Sequence, residues 1–264
     1  IMKITVIGAG NMGGAIAEGA VRKGVVAPQD LIIADPRAEL AEKLQKEGLN
    51  VVYTTDNVAS VAGADLVVVA VKPWLTQEVL GAISGAIDRS RQVIVSIPAG
   101  IPFSQLEEWM DAGTKGDVAI CRVVPNTAIA LGKSMTFIAS HNVPARGKEL
   151  VFELFRELGD VLEVEEREIT AYTALSSSGI AYAFKYMEAS AKGGVDMGID
   201  PQKAIEVVVK TVEGAVALMQ AHNEAPSVEI RRVATPGGLT EKGLAAMDES
   251  GFTEAVIKGL WATR

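Results

Sequence analysis

KITVIGAGNMG, residues 3–13, is the segment that indicates the fold of this chain most clearly. A short β-branched run is followed directly by a GxGxxG pattern, and helix-forming residues 15–21 come next. This order of strand, glycine turn and helix is the context in which the pattern indicates dinucleotide binding. Gly8 permits the tight turn, Gly10 lets a pyrophosphate approach the backbone, and Gly13 lets the helix pack closely on the strand. The unpaired N–H groups at the start of the helix attract the anion.

The alternation of strands and helices continues as far as residue 166. Further strands are predicted at residues 31–34, 51–53, 66–71, 92–97, 119–124, 135–139 and 161–164. The run at 66–71 is apolar on both faces, which is typical of a central parallel strand that helices cover on both sides. The predicted fold class is therefore α/β, a Rossmann-type and mostly parallel sheet with helices on both faces, followed by an all-α domain.

After Glu166 the strand signal ends and the remaining residues are predicted to be helical. Asp200-Pro201 is a typical helix start, and the helix that it opens carries an apolar stripe. Several apolar side chains in this half need a surface to cover them, so we expect a second subunit there. These residues are Met187, Val208, Val209, Val212 and Val216. The predicted domains are 1–166 for the dinucleotide and 167–264 for substrate binding and dimerisation.

The composition excludes several classes of protein. A net charge of −8 and a pI of about 5.0, with both signs interspersed, argue against a nucleic-acid-binding surface. With Cys121 as the only cysteine and two histidines, no metal site, Ser-His site or intrachain disulfide is expected. The chain enters its first strand directly and its apolar runs are short. We therefore predict no signal peptide, no membrane span and a cytoplasmic location.

Candidate cofactor residues lie at the carboxyl ends of the strands, where open parallel sheets bind ligands. Asp35, 22 residues beyond Gly13, is placed to bind the ribose diol of NAD. Arg37 is placed to bind the 2′-phosphate of NADP, so the choice between NADH and NADPH stays open. The complete predicted set is Ile7, Gly8, Ala9, Gly10, Asn11, Met12, Asp35, Arg37, Asn57, Ala70, Val71, Lys72, Pro73, Pro98, Ala99 and Asn126.

A second glycine loop, TPGGLT at residues 235–240, leads into a helix in the C-terminal half. Its backbone N–H groups are expected to point at one spot, which predicts a cradle for a carboxylate or a phosphate. The alternative is that the loop binds no ligand and that Thr240 is simply the N-cap of the following helix.

Five segments together make the chain resemble the pyrroline-5-carboxylate reductases. They are GAGNMGGAIAEG from Gly8, AVKP at 70–73, VPNTAIALG from Val124, TALSSSGIAYAF at 173–184 and VATPGGLTEKGL at 233–244. The resemblance implies reduction of the C=N bond of 1-pyrroline-5-carboxylate to L-proline, with NADPH or NADH as cofactor and NADPH slightly favoured. It also implies a homodimer, which in this family can assemble further into a decamer.

The same resemblance implies the residues of the substrate site. The hydroxyl of Thr240 would orient or protonate the imine nitrogen, and the loop amides would hold the substrate carboxylate. The predicted substrate-binding residues are Ser178, Gly179, Thr235, Gly238 and Leu239. The family usually has proline where this chain has Ala128 and Ile180, and threonine or alanine in place of Leu239.

Other functions remain as alternatives. A reductase of a related cyclic ketimine acid would use the same cradle with different pocket walls near Ile180 and Leu239. A non-catalytic relative would bind the nucleotide without turnover. The 3-hydroxyacid dehydrogenases share the domain plan, but their GxxxNxxK helix is missing, because Ala183 stands at the asparagine position after Gly179.

Overall fold

The computed structural model describes residues 2–263 of the chain. They form two compact units, one ending at Ser177 and one beginning at Ser178. The predicted domain boundary at 166–167 precedes this division. Ile169 lies beyond that boundary and is buried in the apolar core of the first unit.

The first unit is built on one eight-stranded sheet with the strand order β3-β2-β1-β4-β5-β6-β7-β8. Every neighbouring pair is parallel except β6 and β7. The strands are β1 Ile4–Ile7, β2 Leu31–Ala34, β3 Val52–Thr54, β4 Leu66–Val69, β5 Val93–Ser96, β6 Ala119–Val124, β7 Ser134–His141 and β8 Gly159–Glu163. The predicted α/β class and mostly parallel sheet are confirmed. The chain reverses its direction of winding between β1 and β4, which is where such sheets bind ligands.

Helices cover both faces of this sheet. They are α1 Asn11–Arg22, α2 Glu39–Lys46, α3 Asn57–Ser60, α4 Thr76–Ile83, α5 Phe103–Trp109, α6 Ala112–Lys115, α7 Ala145–Arg156 and α8 Ile169–Thr173. Along β4, Val68 joins the apolar cluster under α1 and α7, while Val67 and Val69 join the cluster under α4 and α5. Because successive side chains of a strand point to opposite faces, an all-apolar strand fills both clusters.

The second unit is entirely helical. A π-helical turn, Ala174–Ser178, leads into α9 Gly179–Asp196, α10 Pro201–His222, α11 Pro226–Val233, α12 Leu239–Glu249 and α13 Phe252–Ala262. The Asp200 carboxylate accepts the N–H groups of Gln202 and Lys203, which confirms the predicted start of α10. Within residues 2–263, no helix is long and apolar enough to cross a bilayer.

Candidate active site

The three glycines of the first turn have different surroundings. Gly8 has a φ of +93°, and a Cβ there would lie 2.9 Å from Val71 and 3.0 Å from the Ala70 carbonyl. A Cβ on Gly13 would overlap the carbonyl oxygen of Gly8. Gly10 has an ordinary φ of −69°, and a Cβ added to it would have no neighbouring atom within 4 Å. Gly8 and Gly13 are therefore required by the turn itself, whereas the space beside Gly10 is open.

The open space at Gly10 fits a pyrophosphate. Gly10 is the N-cap of α1, and the first turn of this helix contains no acidic side chain. The N–H groups of Asn11 and Met12 belong to that first turn, where a helix has no acceptors for its own amides. A side chain at Gly10 would fill the place from which a phosphate reaches these donors.

Asp35 and Arg37 are brought to this turn in unequal ways. The Asp35 carboxylate is buried and accepts the N–H of Ala9 at 2.7 Å and the N–H of Arg37 at 2.9 Å. The side chain of Arg37 is 65% exposed, and its Nε lies 3.4 Å from Asp35. Asp35 thus holds the glycine turn in place, while the guanidinium of Arg37 extends beyond it.

A cleft of about 820 Å³ runs along α1 from the glycine turn. Five predicted cofactor residues line it: Ala9, Gly10, Asn11, Asp35 and Arg37. Sequence reasoning missed Leu40 and residues 129–132, which also line this cleft. Residues 129–131 belong to a 3₁₀ turn, Thr127–Leu131, that follows β6. The strand-end position of Asn126 was the signal that could have found it.

The other predicted cofactor residues lie outside this cleft lining. Ala70 and Val71 contact Gly8, and Ile7 is buried at the end of β1 beside them. Lys72 is extended, with ψ of 146°, as its position before Pro73 predicts. The remaining positions are Met12 in the first turn of α1, Asn57 at the start of α3, Pro98 and Ala99 after β5, and Asn126 after β6.

Asn126 is buried and its side-chain amide is already committed within the first unit. Its Oδ1 accepts the N–H of Ala128 at 3.0 Å, and its Nδ2 donates to the hydroxyl of Ser176 at 3.0 Å. The structure therefore places this predicted cofactor residue between the end of β6 and the π turn.

The second glycine loop opens α12 as predicted, but with different free amides. Gly238 is the N-cap, so the alternative assignment of Thr240 as N-cap is wrong. The N–H of Gly238 donates to the carbonyl of Thr235 at 2.9 Å, and that of Gly237 to the Glu241 carboxylate at 2.7 Å. Leu239 and Thr240 lie in the first helical turn with exposed side chains, so their amides are the available donors.

The three consecutive serines before α9 also differ. Ser176 and Ser177 are hydrogen-bonded through their hydroxyls to residues of the first unit. Ser178, a predicted substrate-binding residue beside Gly179, is half-buried, and within residues 2–263 its hydroxyl has no hydrogen-bond partner. A hydroxyl that the protein leaves unpaired is available to a ligand.

Two family models match the chain. Residues 166–264 match pyrroline-5-carboxylate reductase dimerisation, and residues 3–100 match the coenzyme F420-dependent NADP oxidoreductases. Among solved structures, the chain is similar to a pyrroline carboxylate reductase from Plasmodium falciparum with NADP bound. The TM-score is 0.87 and the sequence identity is 26%, and the match covers 99% of this chain and 95% of that one. The match to a pyrroline-5-carboxylate reductase from Coxiella burnetii also has a TM-score of 0.87, with 30% identity, and it covers 99% of this chain and 96% of that one.

Curated relatives match along nearly their whole length. The pyrroline-5-carboxylate reductase of Corynebacterium melassecola is 34% identical over 98% of this chain and 95% of its own. The pyrroline-5-carboxylate reductase of Methanosarcina acetivorans is 32% identical over 97% of this chain and 94% of its own. Both glycine loops and the helical half lie inside these end-to-end matches, and the chain therefore belongs to the pyrroline-5-carboxylate reductase family.

Proposed function

We propose that this chain reduces the C=N bond of 1-pyrroline-5-carboxylate to give L-proline, with a nicotinamide nucleotide as the hydride donor. The observation that carries this proposal is the start of α12. There, two unpaired amides stand beside the hydroxyl of Thr240, behind a proline and two glycines. A carboxylate next to a C=N bond presents an anion and a basic nitrogen a short distance apart, and such a site can bind both.

The cofactor, when bound, supplies the hydride, and the protein binds and orients it. The first turn of α1 holds the pyrophosphate, because its N–H groups are unpaired and the space at Gly10 is open. Gly8 and Gly13 keep the turn tight, and the Asp35 carboxylate fixes the amide of Ala9.

The substrate is held by the second loop. We assign its carboxylate to the N–H groups of Leu239 and Thr240, because the amide of Gly238 is used by Thr235. The hydroxyl of Thr240 donates to the imine nitrogen and so supports its protonation as the hydride arrives at carbon. Ser178, Gly179 and Thr235 complete the set of proposed substrate contacts.

Replacing the hydroxyl of Thr240 tests the reaction. For Thr240→Ala we expect kcat to fall about 100-fold, a typical loss for a missing proton donor. Cofactor affinity should be unchanged, and Thr240→Ser should retain most of the activity. The assay follows NADPH and NADH oxidation with pyrroline-5-carboxylate and, in parallel, a six-membered cyclic imine acid. Preference for the six-membered ring would favour the ketimine reductase, and cofactor binding without turnover would favour the non-catalytic relative.

We further propose that NADPH is the preferred cofactor. The Asp35 carboxylate is occupied by two backbone N–H groups, while the guanidinium of Arg37 is exposed at the wall of the cleft. An exposed guanidinium favours a 2′-phosphate, whereas an occupied carboxylate has less capacity left for a ribose diol.

We also propose a homodimer, because the second unit exposes many apolar side chains. Among its described residues 178–263, only Ala191, Gly194 and Ala204 are buried, and Val209 and Val216 are 45% and 51% exposed. Large exposed apolar surfaces mark sites of association. Assembly into a decamer is proposed from the family resemblance. A cytoplasmic location is proposed from the single cysteine, which is consistent with a reducing compartment.

A further inference from the structure

The turn that precedes α9 is a π helix, Ala174–Ser178. Hydrogen bonds of its side chains connect it to the residues that follow β6. The hydroxyl of Ser177 donates to the carbonyl of Pro125 at 2.9 Å, and the hydroxyl of Ser176 accepts from Asn126 Nδ2 at 3.0 Å. π-helical turns are rare and occur frequently at functional sites. This one ends at Ser178, the serine whose hydroxyl is unpaired within residues 2–263.

The anchor on the sheet side is itself held firmly. Asn126 is 7% exposed, and its side-chain Oδ1 accepts the N–H of Ala128. Its backbone N–H donates to the hydroxyl of Ser134 at 3.1 Å. These bonds determine which way the side-chain amide faces. The Nδ2 group therefore points at Ser176 in a defined direction.

We propose that Asn126, Ser176 and Ser177 are positioning residues that hold the π turn, so that Ser178 and Gly179 stay in the conformation that binds the substrate. The proposal rests on the function assigned above to Ser178. A π turn contains one residue more per turn than an α helix does. If it relaxes to an α helix, the direction of the Ser178 side chain changes by about 100°, the angle that one helical residue covers. The hydroxyl of Ser178 would then point elsewhere, with no change in the sequence around it.

The experiment compares the full-length double variant Ser176→Ala/Ser177→Ala with Thr173→Ala. Thr173 is a matched control, because its hydroxyl lies just before the same turn and donates to Ile169 of its own helix at 2.7 Å. Two properties are measured: hydrogen exchange of amides 174–179 without ligand, and the steady-state constants for pyrroline-5-carboxylate. Cofactor affinity is titrated separately.

In the double variant we expect faster exchange at residues 174–179 and a KM for the imine raised about tenfold, in line with the loss of one or two hydrogen bonds. The kcat should change less than KM, and cofactor affinity should match the wild type. Thr173→Ala should change none of these, and Ser177→Thr, which retains a hydroxyl, should keep the wild-type KM.

An unchanged KM in the double variant would overturn the proposal, whether or not exchange increases, because the turn would then have no effect on the substrate. Unchanged exchange would overturn it too. Failure of the proposed function has a different signature, since the wild type itself would then not turn over pyrroline-5-carboxylate.

Discussion

At the scale of single residues, the three turn glycines are needed for three different reasons. Gly8 adopts a φ that other residues rarely adopt, and Gly13 contacts backbone so closely that no side chain fits. Gly10 has neither constraint within the protein, and we propose that its requirement comes from the ligand. On this proposal, the GxGxxG pattern combines two structural glycines with one that serves binding.

Alanine substitutions should separate these roles. Gly13→Ala is expected to lower the free energy of unfolding by about 3 kcal/mol or to prevent folding, because its Cβ would overlap the carbonyl of Gly8. Gly10→Ala should keep the wild-type Tm and lose cofactor affinity at least about tenfold, because a methyl group would displace a phosphate from its donors. Thermal denaturation and a fluorescence titration with NADPH measure the two effects. Equal destabilisation by both substitutions would contradict this assignment.

Arg37 tests the proposed cofactor preference at the same scale. Arg37→Ala should raise the Kd of NADPH and of adenosine 2′,5′-bisphosphate at least about tenfold, because a charge-assisted bond to phosphate is lost. The Kd of NADH should hardly change. Arg146→Ala is the matched control, since Arg146 is an exposed arginine that pairs with Glu149. A parallel loss of NADH affinity would indicate a general structural effect instead.

Cys121 is expected to be unreactive in the folded protein. Burial raises the pKa of its thiol to about 11, and its Sγ lies 3.6 Å from the hydroxyl of Ser140. Because the thiolate is the reactive form, almost none is present at neutral pH. A thiol reagent at pH 7.5 should modify the protein only after denaturant is added, and rapid labelling of the native protein would contradict this expectation.

At the scale of elements, one side chain joins the start of β5 to two neighbouring segments. Gln92 is buried, its Nε2 donates to the carbonyls of Val61 and Ala64, and its Oε1 accepts the N–H of Asp88 at 2.8 Å. These backbone groups lie in loops, where no neighbouring strand pairs with them. Gln92 therefore satisfies them as a ladder hydrogen bond would.

Gln92→Leu should destabilise the first unit. The N–H of Asp88 and the carbonyl of Ala64 would lose their partner, while the carbonyl of Val61 would still accept the N–H of Ala64 at 3.3 Å. At about 1 kcal/mol or more for each unpaired group, we expect a loss of at least about 2 kcal/mol in the free energy of unfolding. Gln105→Leu, a substitution at an exposed position of α5, is the control and should change little. Urea denaturation followed by circular dichroism compares them, and similar midpoints would contradict the role of Gln92.

At the scale of the whole molecule, the two units bury their apolar residues to very different extents. The first has two apolar clusters, one on each face of the sheet. The second buries few residues, although α9 and α10 pack against each other closely enough that a Cβ on Gly194 would contact Ala204 at 3.4 Å. A helical unit with so little buried surface of its own needs a partner to be stable.

Light scattering should therefore give at least twice the chain mass of 27.7 kDa at micromolar concentration. Val209→Glu/Val216→Glu is expected to lower the mass towards that of the monomer, because two charges would be buried without partners. Val58→Glu, at a 43% exposed valine of the first unit, is the control and should leave the mass unchanged. A monomeric wild type would rule out the proposed dimer.

Local apolar runs, glycines and prolines are enough to predict the strand–turn–helix start, the order of the strands along the chain and the change to helices. The family can be recognised from the sequence too, because each loop motif is a contiguous segment. The partners of individual polar groups, in contrast, become visible only in the folded protein. Asp35 faces the amide of Ala9, Asn126 faces Ser176, and the amide of Gly238 is already engaged. Such partners depend on how the folded backbone brings groups together and orients them, which residue types and spacing do not specify.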